Sequence, residues 1–444
     1  RLHGFFTLLG PPGIRPREDA DFPLREAIEA SRRRQSDLSA VLGERVREAV
    51  ETLLEPVENA CRLRPDFREP LRNAPDGATL AGREELSALY QAASRVVMRM
   101  VVILFAEARG LLPRDVEAYN ASYGLEGLFE SLQRARSHEG MARLRERSSA
   151  WSRILALFRL IYSGSAHPDI NIPRYGGLLF RPGDPASDDP VIRALTLLES
   201  ADLNVPDSMV YRLLRLLKIA PVQVKRGRSK TWASGPVDFG QLRVEYVGII
   251  YEALLDYGLR EAGEPTVFLD IGREPILPLT LLEEMDDDAL GDLISELAGE
   301  STRGTDVDTG EIEEETGDDE IMEAAEELAA PADEEEEEEE ALSRDEKLQQ
   351  RAHRWATRAV EAAGLISQRA DEADYYYEQR RAEEADSLIR RVVPAGGFYL
   401  SRAGGTRKGT GTFYTIPQLT VPTARRTLEP LLYEEDEDGR RVPK

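Results

Sequence analysis

The chain has 444 residues, 41% of them hydrophobic and 31% charged, with a formal net charge of -25. That length exceeds what one compact core needs, so two or three domains are expected. No apolar run approaches the roughly 18–20 residues of a membrane span, and one cysteine, Cys61, excludes a disulfide framework or multi-cysteine zinc site. These features predict a soluble, cytoplasmic protein with no membrane partner. No signal-peptide pattern follows Arg1, and an arginine start points to a piece of a longer polypeptide.

The charge is concentrated. Between Glu283 and Glu346 lie 30 acidic residues against two basic ones, Arg303 and Arg344. The remainder holds 52 acidic and 55 basic residues, close to neutral. The acidic total therefore says little about affinity for nucleic acid in the parts that fold.

In chain order, residues 1–23 read as the tail of a preceding segment, broken by Gly10, Pro11, Pro12 and Gly13. Leu24 to Val57 has a helical pattern with Glu and Arg on its outer face. The strongest helix runs from Glu84 to Ala108, where Leu86, Leu89, Tyr90, Ala93, Val97, Met100, Val101 and Leu104 follow three-and-four spacing. Gly110 and Pro113 then stop it. Trp151 to Tyr162 is a second apolar helix, followed by a Gly- and Pro-rich loop anchored by Leu178, Leu179 and Phe180. Pro206 to Lys218 reads as a helix, Val222–Val224 and Thr231–Trp232 as a hairpin, and Leu242 to Leu255 as a closing helix. Residues 24–258 are thus a helical N-terminal scaffold domain.

Residues 259–346 read as an acidic, largely flexible insert. Seven successive carboxylates, Glu334 to Glu340, argue against packing, although Ala289–Leu297 has the pattern of a short helix. A solvated tether and a nucleic-acid mimic both fit this composition. Residues 347–400 form a helical linker carrying Tyr375, Tyr376 and Tyr377, with a strand from Val392 to Leu400. Residues 401–444 form a separate, basic end segment.

The four histidines, His3, His138, His167 and His353, are scattered without ligand spacing, so no metal site is expected. Phosphate-loop and strand–GxGxxG–helix patterns are missing, and no complete catalytic constellation is visible. Two basic clusters remain. Lys225, Arg226, Arg228 and Lys230 lie in a loop beside Trp232; Arg402, Arg407 and Lys408 form the second, with Arg425 and Arg426 beyond. Basic loops of this kind suit the phosphate backbone of double-stranded DNA, which gives affinity without reading sequence.

The run Arg407-Lys-Gly-Thr-Gly-Thr-Phe-Tyr-Thr-Ile-Pro-Gln-Leu resembles the first conserved block of amino (N6-adenine) DNA methyltransferases, R/K-x-x-G-x-x-Y-T-P-x-x-L. Three further stretches resemble the N-terminal regions of the large single-chain members. These are Leu104-Phe-Ala-Glu-Ala-Arg-Gly-Leu-Leu-Pro113, Ile172-Pro-Arg-Tyr-Gly-Gly-Leu-Leu-Phe180 and Val247-Gly-Ile-Ile-Tyr-Glu-Ala-Leu-Leu255. The matches occur in family order between residues 104 and 432. The family includes type IIG restriction-methylation enzymes and the large methylases of the BREX and DISARM phage-defence systems, the DISARM methylase being the nearer likeness.

The resemblance implies methyl transfer from S-adenosyl-L-methionine (SAM) to N6 of an adenine flipped from the stack. It implies a mainly α-helical multi-domain region with a few short strands, ending at the start of a Rossmann-like α/β methyltransferase domain. Thr410, Gly411, Phe413, Tyr414, Thr415 and Pro417 are implied to line the SAM side of the pocket, and other subunits of a defence complex are implied partners. Gln418 and Thr420 depart from the usual acidic residue and valine. The sequence holds no NPPY or DPPY motif and no D/F-x-G-x-G strand turn. The resemblance places both beyond Lys444, so these residues alone are expected to be inactive. The alternative is a non-enzymatic DNA-binding scaffold subunit.

Overall fold

The computed structural model describes residues 23–73, 75, 77, 79–226, 229–240, 244–271, 275–303, 344–368, 374–402, 417–435 and 441–443. The chain divides into two units, Arg1–Arg260 with Leu400–Lys444, and Glu261–Tyr399. Both are mainly helical with a few short strands.

In the first unit, α1 (Pro23–Leu63) is followed by a short α2 (Glu69–Arg72) and by α3 (Arg83–Ala108). Helix α3 is the centre. Val96, Val97, Met100, Val101 and Ile103 have no exposed surface. At about 1.5–3 kcal/mol per buried large aliphatic side chain, this stripe is a main source of the unit's stability. Among the described residues α3 is the one helix long and apolar enough to cross a membrane, but 78% of its apolar window is buried in the fold. It is a core helix.

Helix α3 ends as its sequence dictates. Gly110 takes φ +68, its N–H donates to the Glu107 carbonyl (3.2 Å), and the Leu111 N–H donates to that of Ala106 (2.9 Å). This paired closure satisfies the last carbonyls and turns the chain away.

Helices α4 (Glu117–Ser122), α5 (Leu125–Glu146) and α6 (Ser149–Ser163) follow, then a two-strand turn of β1 (Ser165–His167) and β2 (Ile170–Ile172). A short α7 (Gly177–Phe180) begins after Gly176 (φ +60), and Gly177 itself has φ +79. Two successive left-handed residues are accessible here only because both are glycine. Helices α8 (Pro190–Leu198) and α9 (Asp207–Lys218) lead to the β3 (Ile219–Arg226) and β4 (Ser229–Pro236) hairpin. Helix α10 (Val244–Leu254) and strand β5 (Gly258–Glu261) come next. Helices α1, α5, α8 and α10 all pack on α3. The hairpin is longer than Val222–Trp232, the extent read from the sequence. The ladder extends the pairing on both sides, from Ile219↔Pro236 to Arg226↔Ser229.

In the second unit, β6 (Thr266–Leu269) is the central strand of a sheet, flanked antiparallel by β7 (Ile276–Pro278) and β8 (Ile389–Val393). Helices α11 (Leu279–Glu284), α12 (Asp287–Arg303), α13 (Arg344–Ala362) and α14 (Asp374–Leu388) contribute to one core. Leu279, Leu282, Leu290 and Ile294 meet Ala352, Trp355, Ala356, Ala359 and Val360 there.

This differs from the sequence division into an acidic insert at 259–346 and a linker at 347–400. Residues 261–303 and 344–399 share one core. The reason is that apolar residues recur at helical spacing among the carboxylates, while the carboxylates themselves find arginines. Arg351 pairs with Glu283 (2.6 Å) and Arg358 with Asp287 (2.6 Å). The Glu334–Glu340 run, with its tether and mimic readings, lies outside the described residues. The short helix expected at Ala289–Leu297 lies within α12. The strand expected from Val392 to Leu400 is two strands, β8 and β9 (Phe398–Ser401), separated by a turn in which Gly397 donates to the Pro394 carbonyl (2.9 Å).

Leu290→Ala is expected to destabilise the second unit by about 2–5 kcal/mol. Trp355 is its buried probe. In a background with Trp151 and Trp232 replaced by Phe, the Trp355 fluorescence transition in urea should move to lower denaturant; an unmoved midpoint would contradict this core.

Candidate functional site

The stretches Leu104–Pro113, Ile172–Phe180 and Val247–Leu255 meet at α3. Leu104–Pro113 is its last turn and cap. Glu107 lies in that turn, 3% exposed, and its carboxylate accepts from the Tyr119 hydroxyl (2.9 Å) and the Leu125 (2.9 Å) and Glu126 (3.2 Å) N–H groups. The first N–H groups of a helix have no partner within it. Glu107 supplies one from another helix, with its charge at the positive end of α5. Burial pushes the Glu107 carboxyl above its ordinary range, against the pull of the Leu125 and Tyr119 hydrogen bonds.

Ile172–Phe180 is tied to the same end of α3, since the Tyr175 hydroxyl donates to the Leu111 carbonyl (3.1 Å). A second clamp is Arg99, whose side chain is fully buried in the apolar stripe of α3. Its Nε donates to the Leu179 carbonyl (2.6 Å), Nη2 to the Arg181 carbonyl (2.7 Å) and Nη1 to Glu199 Oε1 (2.9 Å). The guanidinium also faces the Phe158 ring at 5.2 Å. Burial lowers its proton affinity and the Glu199 hydrogen bond and charge restore part of it. A guanidinium stays charged under such conditions, and its planar fork suits three acceptors at once.

Val247–Leu255 forms most of α10. The Tyr90 hydroxyl of α3 donates to the Leu254 carbonyl at 2.6 Å. Burial pushes the Tyr90 phenol up, so it remains a donor. Two of the stretches are therefore held through backbone carbonyls by side chains of α3, Arg99 and Tyr90, while the first is the end of α3 itself.

The predicted DNA contacts lie elsewhere. Lys225 and Arg226 are in β3 and Lys230 is in β4; Arg228 lies outside the described residues. The ladder sets Lys225 opposite Lys230 and Arg226 opposite Ser229 at the hairpin tip. Arg402, of the second cluster, is exposed and follows β9. Its Nε donates to the Tyr257 hydroxyl (3.2 Å) and its guanidinium lies 5.5 Å from the Tyr257 ring centre, with Arg47 at 5.6 Å from the same ring. Arg407 and Lys408 lie outside the described residues. So do Thr410, Gly411, Phe413, Tyr414 and Thr415. Pro417 begins α15 (Pro417–Leu432), in which Arg425 and Arg426 are exposed. Among the described residues, no group of His, Cys, Asp and Glu could hold a metal.

No protein-family model, no curated protein and no solved structure matches the chain. The arrangement therefore stands on its own geometry.

Arg99 and Glu107 are absent from the sequence-derived candidates, yet they organise this region. Their signal is a charge inside an apolar helical run, Val96-Val-Met-Arg-Met-Val-Val102 and Phe105-Ala-Glu-Ala108. Such a charge is unfavourable unless partnered, so it predicts a buried ion pair or cap.

Two outcomes follow from these clamps. Arg99→Leu leaves Glu199 buried with a partner removed, and should lower unfolding free energy by about 3–5 kcal/mol, measured by urea denaturation. Glu107 concerns pH. Its folded pKa lies above the unfolded value of 4.5, so its stabilisation is complete below pH 4.5 and is lost as pH rises through the folded pKa. The stability difference between wild type and Glu107→Gln should therefore shift against wild type as pH increases. A difference independent of pH would contradict a strained carboxylate.

Proposed function

We propose that the chain is part of an N6-adenine DNA methyltransferase of a restriction or phage-defence system. In this reading residues 401–444 are the entry segment of a Rossmann-like domain. Thr410, Gly411, Phe413, Tyr414, Thr415 and Pro417 face bound SAM. That cofactor supplies the methyl group carried to N6 of a flipped adenine. The helical unit around α3 positions the entry segment, and the β3–β4 hairpin meets duplex DNA.

The observation that most supports the DNA contact is the hairpin register. Lys225 and Lys230 are direct cross-strand partners, and like charges so placed disfavour strand pairing. An anionic backbone bridging the tip relieves that repulsion and releases counterions on binding. The four sequence stretches in family order support the methyltransferase assignment. A non-enzymatic scaffold subunit is the second reading, favoured by Arg99, Glu107 and Tyr90 all holding backbone groups.

Duplex-DNA affinity measured across a salt series tests the contact. Changing both Lys225 and Lys230 to Gln should reduce the slope of log affinity against log salt by about 0.9 for each phosphate these lysines neutralise. An unchanged slope would remove the hairpin from the interface. Photo-crosslinking of labelled SAM to the full-length polypeptide, weakened by Tyr414→Ala, separates the methyltransferase from the scaffold: no labelling, or labelling indifferent to that change, leaves only the second.

A further inference from the structure

A cavity of about 270 Å³ opens beside α3. Its floor is one face of α3, carrying Ser94, Arg95 and Met98, and its walls are Leu179 and the end of α10, with Tyr251 and Leu254. Both walls are pinned to the floor. Arg99 holds the Leu179 carbonyl and Tyr90 holds that of Leu254, each at 2.6 Å. The space is thus preformed, and its shape is set by the same clamps that fix the helical unit.

The lining is largely apolar, with one charge. Arg95 is half-buried and has no carboxylate partner among the described residues. Arg99, one turn further on, is near enough to repel it. A partly desolvated cation beside a second cation attracts an anion and is unfavourable without one. Tyr251 offers an aromatic face, half exposed, and Met98 a polarisable thioether, which makes favourable contacts with aromatic rings. The volume lies just below the usual range of ligand cavities, about 300–1,000 Å³, which limits the occupant to a small molecule.

From this combination we infer that the cavity binds a small aromatic carboxylate, with the ring between Met98, Leu179 and Tyr251 and the carboxylate on Arg95. The site shares no residue with the basic clusters or the SAM segment, although Leu179, Tyr251 and Leu254 lie in stretches that carry the methyltransferase resemblance; its test reads a carboxylate ligand and does not depend on SAM or DNA binding.

The test uses phenylacetate and its uncharged isostere phenylacetamide, with methyl-labelled methionine NMR assigned by Met98→Leu. Millimolar phenylacetate should shift the Met98 resonance and bind about tenfold tighter than the amide, as one charge-assisted hydrogen bond requires. Arg95→Gln should abolish that preference, while Arg95→Lys retains most of it. Leu179→Trp should fill the space and block both ligands, with the dispersed methionine spectrum reporting that the fold persists. A Met98 resonance unmoved by either ligand would overturn the site. Equal affinities for acid and amide, or a preference that survives Arg95→Gln, would overturn the assignment to a carboxylate.

Discussion

One buried guanidinium organises the first unit. Arg99 sits in the most apolar stretch of α3, where a charge without partners would be strongly unfavourable. Two backbone carbonyls and the Glu199 carboxylate surround it. The consequence reaches beyond the helix, because those carbonyls belong to the Leu179–Arg181 loop. That loop is confined to one path by the need of a buried cation for acceptors. The 2.6 Å bond from Tyr90 does the same for α10, and Glu107 for the start of α5. Helix α3 thus supplies the apolar core and also the polar contacts that place its neighbours.

The second unit shows how an acidic sequence can fold. The attraction comes from a minority of apolar residues at helical spacing, Leu282, Leu290 and Ile294 on one side and Trp355, Ala359 and Val360 on the other. The carboxylates between them remain at the surface, where Arg351 and Arg358 offset them. Exposed pairs of this kind contribute little energy each. Their role here is to offset the carboxylates of α11 and α12 where α13 packs against them.

The proposed binding surfaces follow a different logic from the core. In the core Arg99 and Glu107 both have close partners, and the polar groups of α3 hold backbone. At the hairpin tip two lysines are set opposite each other, and in the cavity Arg95 stands without a carboxylate among the described residues. Cations so placed suit the external anions proposed for them, a phosphate backbone in one case and a carboxylate in the other.

The periodicity of apolar residues was enough to place α3, α6, α9 and α10 close to their observed bounds, since each carries a continuous apolar face that only a 3.6-residue repeat aligns. Gly110 and Pro113 located the end of α3 for the same local reason. The sequence also exposed the basic clusters, because charge is a property of composition. Helices α5 and α8 were not legible: Gly140 interrupts the first, and the second is nine residues long. The joining of 261–303 with 344–399 was equally hidden, because pairing between segments so far apart leaves no local pattern. Arg99 was visible as an anomalous charge, but its three acceptors come from residues 80 or more positions away. Local propensity sets where helices begin and end; which buried charge meets which distant carbonyl is decided only when packing removes water from both.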